Sequence, residues 1–197
     1  NKPFFDSKTQ LDLNCLWISS LLQADEILPG KGYLKLAEEF FLRIEKKYIN
    51  KKIYHSYSKE IVFIEDYAFL INALNDLQDK TMNFKYKDLA LKMTNEAVSK
   101  FFLKDKNIFQ KNSIDNNDVF FKPIDIGDGA IPNGNAIMLI NFIRLGMMDM
   151  AEKLSAGLNS YLNIYKNHMM TSLRALDFFK NIVDGKNCNQ TGCNLNE

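Results

Sequence analysis

Four stretches of this chain are apolar nearly all the way round a helix, and they alternate strictly with three that are apolar on one side only. The first kind comprises Leu11 to Leu28, Ile64 to Leu77, Asn135 to Leu145 and Met169 to Ile182. In the first of these, Leu13, Leu16, Trp17, Ile18, Leu21 and Leu22 leave no polar face. A helix without a polar face has to be covered on most sides. The second kind comprises Lys31 to Tyr48, Phe84 to Phe102 and Met147 to Ile164. In the first of these, Leu36, Ala37, Phe40, Phe41 and Ile44 oppose Glu38, Glu39, Arg43, Lys46 and Lys47. Such a helix buries one stripe and wets the other.

In an up-and-down bundle every helix keeps one wet face. A buried–surface alternation instead predicts an inner ring of helices jacketed by an outer ring. The fold class is therefore all-α: a partial α/α toroid of about seven helices. The links agree. Buried-to-surface connections are short (Pro29-Gly30-Lys31-Gly32, Gln78 to Asn83, Gly146), whereas the surface-to-buried ones, Ile49 to Phe63 and Leu103 to Gly134, are long. Long loops in compact domains tend to carry function, and these two emerge at the end where inner helices begin. The second contains strand signals at Asn107-Ile108-Phe109 and Val119-Phe120-Phe121 around a turn-rich tip, Ser113 to Asn117, which predicts a small β-hairpin insertion. A closed ring of hairpins needs about twelve helices, so half a ring leaves the flanks of its inner helices bare. Either a first half lies upstream or a second copy, as a homodimer, supplies the cover.

A net charge of +1 with interspersed lysines and acids gives no electrostatic footprint for nucleic acid or an anionic membrane. No signal-peptide pattern opens at Asn1, and the longest apolar runs are too short and too charged to span a bilayer. The expected location is cytoplasmic. The chain lacks an initiator Met and opens mid-pattern, so it reads as part of a longer protein. Residues 1–183 are read as barrel and 184–197 as a polar tail. Cys15 reads as a small buried hydrophobe. Cys188 and Cys193 read as reduced thiols in a loose tail, with a local disulfide or a shared metal as alternatives.

Candidate site residues cluster at the ends of the long loops. Glu65 and Asp66 open a buried helix, where carboxylates also serve as caps. Neighbouring residues on a helix point about 100° apart, so one faces the cavity while the other caps. Together with His55, a loop histidine, they are the acid–base candidates. Asp128-Gly129-Ala130-Ile131-Pro132-Asn133-Gly134-Asn135 offers a turn, an N-cap and a polar rim of Asp128, Asn133 and Asn135. Asn14, inside an apolar helix, either ties helices together or faces a ligand. Tyr57 and Tyr67, with Tyr54 and Phe120, are aromatics able to stack on a sugar ring or to serve as core. His168 sits in a link at the same end. No metal site is expected from two histidines without an acid cluster beside them, and no phosphate loop, dinucleotide fingerprint or nucleophile elbow is present, so no cofactor is expected.

The run Phe63-Ile64-Glu65-Asp66-Tyr67-Ala68-Phe69-Leu70 resembles the F-L-E-D-Y-A-F-L motif of the YyaL/spermatogenesis-associated protein 20 family. Asp128 to Asn135 is similar to that family's D-G-A-T-P-S-G-N. Asp6-Ser7-Lys8 with Asn14 resembles its D-D-K…S-W-N-G-L segment, and Cys188 with Cys193 its late cysteine pair. In place of W-N-G stands Leu13-Asn14-Cys15, and in place of the preceding Ser stands Asp12.

The resemblance implies a thioredoxin-like domain followed by an (α/α)6 six-hairpin barrel akin to N-acylglucosamine 2-epimerase, of which this chain is the C-terminal part. Related epimerases use histidines for proton transfer at a sugar. The expected function is thus a carbohydrate-active or carbohydrate-binding barrel, epimerase- or isomerase-like, taking a sugar ligand. The alternatives are a non-catalytic scaffold or client-binding module for the thioredoxin-like domain and, third, a glycoside hydrolase with a second carboxylate elsewhere.

Overall fold

The computed structural model describes residues 9–49, 52–56, 61–115, 123–185, 188–189 and 192–193. Its helices are α1 (Leu11–Ile27), α2 (Tyr33–Ile44), α3 (Ile64–Thr81), α4 (Phe84–Phe101), α5 (Gly134–Arg144), α6 (Met148–Tyr165) and α7 (Met170–Val183). A π-helical turn, Glu45–Ile49, prolongs α2, and a 3-10 turn, Lys166–His168, prolongs α6. The inner helices α1, α3, α5 and α7 stand side by side in chain order, and α2, α4 and α6 back them as hairpin partners. This is an α/α toroid, open after seven helices. None of the described helices is long and apolar enough to cross a membrane.

Burial separates the middle of the inner row from its edges. In α3 the run Ile64–Ile71 is buried without a break, as are Ala136, Met138, Leu139 and Phe142 of α5. Helices α1 and α7 terminate the row, and each leaves one flank bare. Trp17 is 50% exposed, and Leu13, Met170 and Leu173 are exposed with it. The apolar pattern of α1 is therefore only half used within this chain.

A polar ladder fastens α3 to α5 along their length. Asn141 Nδ2 donates to the Ala68 carbonyl at 2.8 Å, and Asn75 Nδ2 donates to Asn141 Oδ1 at 3.3 Å. One turn further on, Arg144 donates to Asn72 Oδ1 (3.2 Å), Asp76 Oδ1 (2.8 Å) and Asp79 Oδ2 (2.7 Å). At these depths an unpaired amide costs about 1–3 kcal/mol, so each partner depends on the others.

Helix ends follow local chemistry. The side chain of Asn133 caps α5 by accepting from Ala136 N–H at 2.9 Å, and that of Asn83 caps α4 by accepting from Lys85 N–H at 3.2 Å. The hairpin insertion differs from the sequence expectation. Strand β2 (Ile108–Phe109) pairs antiparallel with β1 (Phe102–Leu103), of which Phe102 was expected to end the helix and Leu103 to open the loop. Residues 119–121 lie outside the described set. Gly157 of α6 lets that hairpin approach closely: a Cβ there would stand 2.0 Å from the Asn107 carbonyl oxygen. Strands β3 (Cys188–Asn189) and β4 (Gly192–Cys193) pair antiparallel, with Cys188 opposite Cys193. Cys15 is fully buried as a free cysteine.

Candidate active site

The long loops meet the start of α3, α5 and α7 at one end of the toroid, around a cavity of about 570 Å³. Its walls carry Asp12, His55, Glu65, Lys111, Asp125, Asp128, Asn133 and His168, with Phe63, Ile131 and Pro132 as apolar cover. A volume of this order holds a small polar ligand.

His55 is held from three sides. Its backbone carbonyl accepts from Leu11 N–H at 2.9 Å, and its own N–H donates to the Ile61 carbonyl at 2.8 Å. Its ring packs edge-on against Phe63, with centroids 5.0 Å apart. Nδ1 lies 3.0 Å from Asp66 Oδ1, and Nε2 lies 2.8 Å from Gln10 Nε2. With Asp66 as acceptor on one side and an amide N–H on the other, the neutral ring carries its proton on Nδ1 and presents a lone pair at Nε2. The Asp66 hydrogen bond raises the His55 pKa; burial opposes that rise but does not cancel it.

Glu65 and Asp66 part ways, as adjacent positions on a helix require. Asp66 is fully buried, and its second oxygen accepts from Phe63 N–H at 2.9 Å, closing the first turn of α3. Glu65 lines the cavity at 8% exposure, and its Oε2 has no hydrogen-bond partner among the described residues. Burial pushes the Glu65 carboxyl up. Asp12, also buried, is pushed up first by burial and then by the charge of Asp66.

On the opposite wall, Lys111 Nζ pairs with Asp125 Oδ2 at 3.0 Å. Burial favours the neutral amine, but the Asp125 hydrogen bond together with the charges of Glu65 and Asp125 raises the lysine pKa. Asp128 is a junction. Its Oδ1 accepts from Asn133 N–H (3.1 Å) and Asn133 Nδ2 (3.0 Å), and its Oδ2 accepts from Thr171 N–H at 2.8 Å. Burial pushes this carboxyl up, yet the N–H donors of Thr171 and Asn133 prevail and hold it below its ordinary value. Asn133 also donates to Ser172 Oγ at 3.1 Å, so the starts of α5 and α7 share one network.

Of the residues singled out in the sequence, the structure brings His55, Glu65, Asp128 and Asn133 to the cavity wall. Asp66 stands directly behind His55. Asn14 instead donates to the Gln10 carbonyl of its own helix at 2.6 Å and does not line the cavity. Tyr67 points toward α4, where its hydroxyl donates to Glu96 Oε1 at 2.7 Å. Asn135 is fully buried and clamps the hairpin: it accepts from Phe109 N–H at 2.8 Å and donates to the Phe109 and Asp125 carbonyls, both at 3.0 Å. Tyr57 lies outside the described residues, as does Phe120.

Gln10, Asp12, Lys111 and Asp125 were not singled out in the sequence, and His168 was noted only for its position. An acid cluster beside a histidine was not foreseen, yet Asp12, His55 and Asp66 each offer a ligand atom within 4.8 Å of the others. That trio could hold a metal ion. In the structure Asp66 is already engaged by His55 Nδ1 and by Phe63 N–H.

No family model matches the sequence, and no curated protein does. Among solved structures the chain resembles a D-mannose isomerase, with a TM-score of 0.59 and 13% identity over 76% of this chain and 41% of that one. It also resembles the cellobiose 2-epimerase of Bacillus thermoamylovorans, with a TM-score of 0.58 and 16% identity over 81% of this chain and 45% of that one. The chain thus spans less than half the length of either. At such identities the likeness establishes the fold, an α/α toroid of the kind these enzymes share.

Proposed function

We propose that this chain is the site-bearing part of a carbohydrate-active α/α barrel that moves a proton at a sugar carbon, in the manner of an epimerase or isomerase. The observation that carries the reading is the His55–Asp66 pair, a histidine on the cavity wall with a buried carboxylate on its Nδ1. In the proposed reaction, Nε2 of neutral His55 removes the C2 proton of an open-chain aldose. The C2–H electron pair moves into a C1–C2 double bond, and the carbonyl oxygen becomes an enediolate oxygen. Return of a proton to C2 from the other face gives the epimer; return to C1, with the C2 hydroxyl proton passing to the C1 oxygen, gives the ketose. In this reading His168, the second imidazole on the wall, returns or relays it. Asp66 is a positioning residue that fixes the tautomer. Gln10 occupies Nε2 and has to yield to substrate.

The two motifs, Phe63 to Leu70 and Asp128 to Asn135, support membership of the YyaL/spermatogenesis-associated protein 20 family, with a thioredoxin-like domain as neighbour. The bare flanks at Trp17 and Met170 support a further half-ring covering α1 and α7.

The test is deuterium exchange. The complete protein is incubated in heavy water with a panel of aldohexoses, amino sugars and disaccharides, and the C2 proton is followed by NMR. Exchange is expected for at least one sugar and should fall by about 10²-fold or more in His55→Ala. Absence of exchange and of binding across the panel would refute the reading.

A further inference from the structure

We propose that the Glu65 side of this cavity is a docking point for a protonated primary amine, so that the preferred ligand is an amino sugar or a similar polyhydroxylated amine rather than a neutral or acidic sugar. The inference rests on the carbohydrate reading and narrows its substrate class.

Among the described wall residues, four are carboxylates (Asp12, Glu65, Asp125 and Asp128), against one lysine and two histidines. Most of that charge is already committed. Lys111 Nζ is taken by Asp125 at 3.0 Å. Asp128 is satisfied by the N–H donors of Asn133 and Thr171. The Nδ1 of His55 serves Asp66 at 3.0 Å and stands 4.0 Å from Asp12. Glu65 remains, more than nine-tenths buried, with the Lys111 charge acting on it but with no hydrogen-bond partner on Oε2 among the described residues. A buried carboxylate without a partner is costly, and a fold retains one where something else completes it.

The complement is set by charge and by donor count. An acidic sugar or a phosphate would bring like charge to the wall. A single hydroxyl would give Glu65 one hydrogen bond and add no positive charge to a wall with four carboxylates and one lysine. An ammonium has three donors and no acceptors, and it adds positive charge to that wall. Phe63, Ile131 and Pro132 offer apolar surface for the C–H face of a ring. Gly134 makes room for Glu65: a Cβ there would lie 3.5 Å from Glu65 Cγ and 3.2 Å from Ile64 Cγ2.

The experiment is calorimetric titration of the complete protein with D-glucosamine, D-glucose, N-acetyl-D-glucosamine and D-glucuronate, at a pH where the sugar amine is protonated. Glucosamine is expected to bind about tenfold or more tighter than glucose, with the N-acetyl and acid forms no better than glucose. Glu65→Gln should erase that preference, and Lys111→Met, which releases Asp125, should widen it. The second variant keeps the test open if the first does not fold. Equal binding of glucose and glucosamine by the wild type would overturn the amine preference and leave the carbohydrate reading standing. Absence of binding by every sugar would sink both.

Discussion

Nδ1 of His55 and Oδ1 of Asp66 lie 3.0 Å apart, and this contact joins the 52–56 loop to the first turn of α3. The same carboxylate holds Phe63 N–H at 2.9 Å, so one buried side chain both orders the backbone and aims the imidazole.

Asp66→Asn keeps the size of the side chain but loses the charge-assisted acceptor and allows the wrong tautomer. Sugar C2 exchange should fall by about 10²-fold or more. Stability measured by urea unfolding should fall by about 1–3 kcal/mol. Exchange at wild-type rates in a folded Asp66→Asn protein would remove Asp66 from the mechanism.

Because the Asp66 hydrogen bond raises the His55 pKa, the acid limb of the exchange rate should sit above the ordinary imidazole value of about 6.5. The active form is neutral, so the rate rises with pH through that limb. Asp66→Asn should move the limb down. Stability runs the other way. A group whose folded pKa is raised contributes fully below its unfolded pKa and loses that contribution as pH rises through the folded one. The Tm advantage of wild type over His55→Gln should therefore be larger at about pH 5.5 than at about pH 9.

Asn135→Ala would strand three backbone groups: the buried N–H and carbonyl of Phe109 and the half-buried carbonyl of Asp125. A loss of about 2–4 kcal/mol is expected by denaturant titration. A change below about 0.5 kcal/mol would mean that the hairpin is held by other means.

Glycine to alanine inside a helix ordinarily stabilises by up to about 1 kcal/mol. At Gly157 the sign should reverse, because the new methyl would meet the Asn107 carbonyl oxygen at 2.0 Å. Gly157→Ala should lower stability by about 2 kcal/mol, read as a fall in Tm.

The helices were legible because burial writes itself as periodicity. The pattern Met147 to Ile164 lies within one residue of the observed Met148–Tyr165 at each end. The hairpin was assigned differently because Phe102 continues the apolar stripe of α4 and carries no local sign of leaving it. Glu65, His55, Asp128 and Asn133 could be found from composition at loop ends. Lys111 and Asp125 could not: each is one charge among many, and their pairing depends on residues 123–125 lying beside Lys111. Asn135 shows the limit of reading polarity. A buried asparagine announces that it has partners, but not whether they are a ligand or, as here, the backbone of Phe109.

The amide-and-guanidinium ladder between α3 and α5 has a mechanical corollary. Sliding one helix past the other by a single turn, about 5.4 Å, would take Asn141 off the Ala68 carbonyl and Arg144 off Asp76 together. Neither helix can therefore creep along its neighbour by small steps. Glu65 at the head of one and Asn133 at the head of the other stay level, like marks on two rulers pinned side by side.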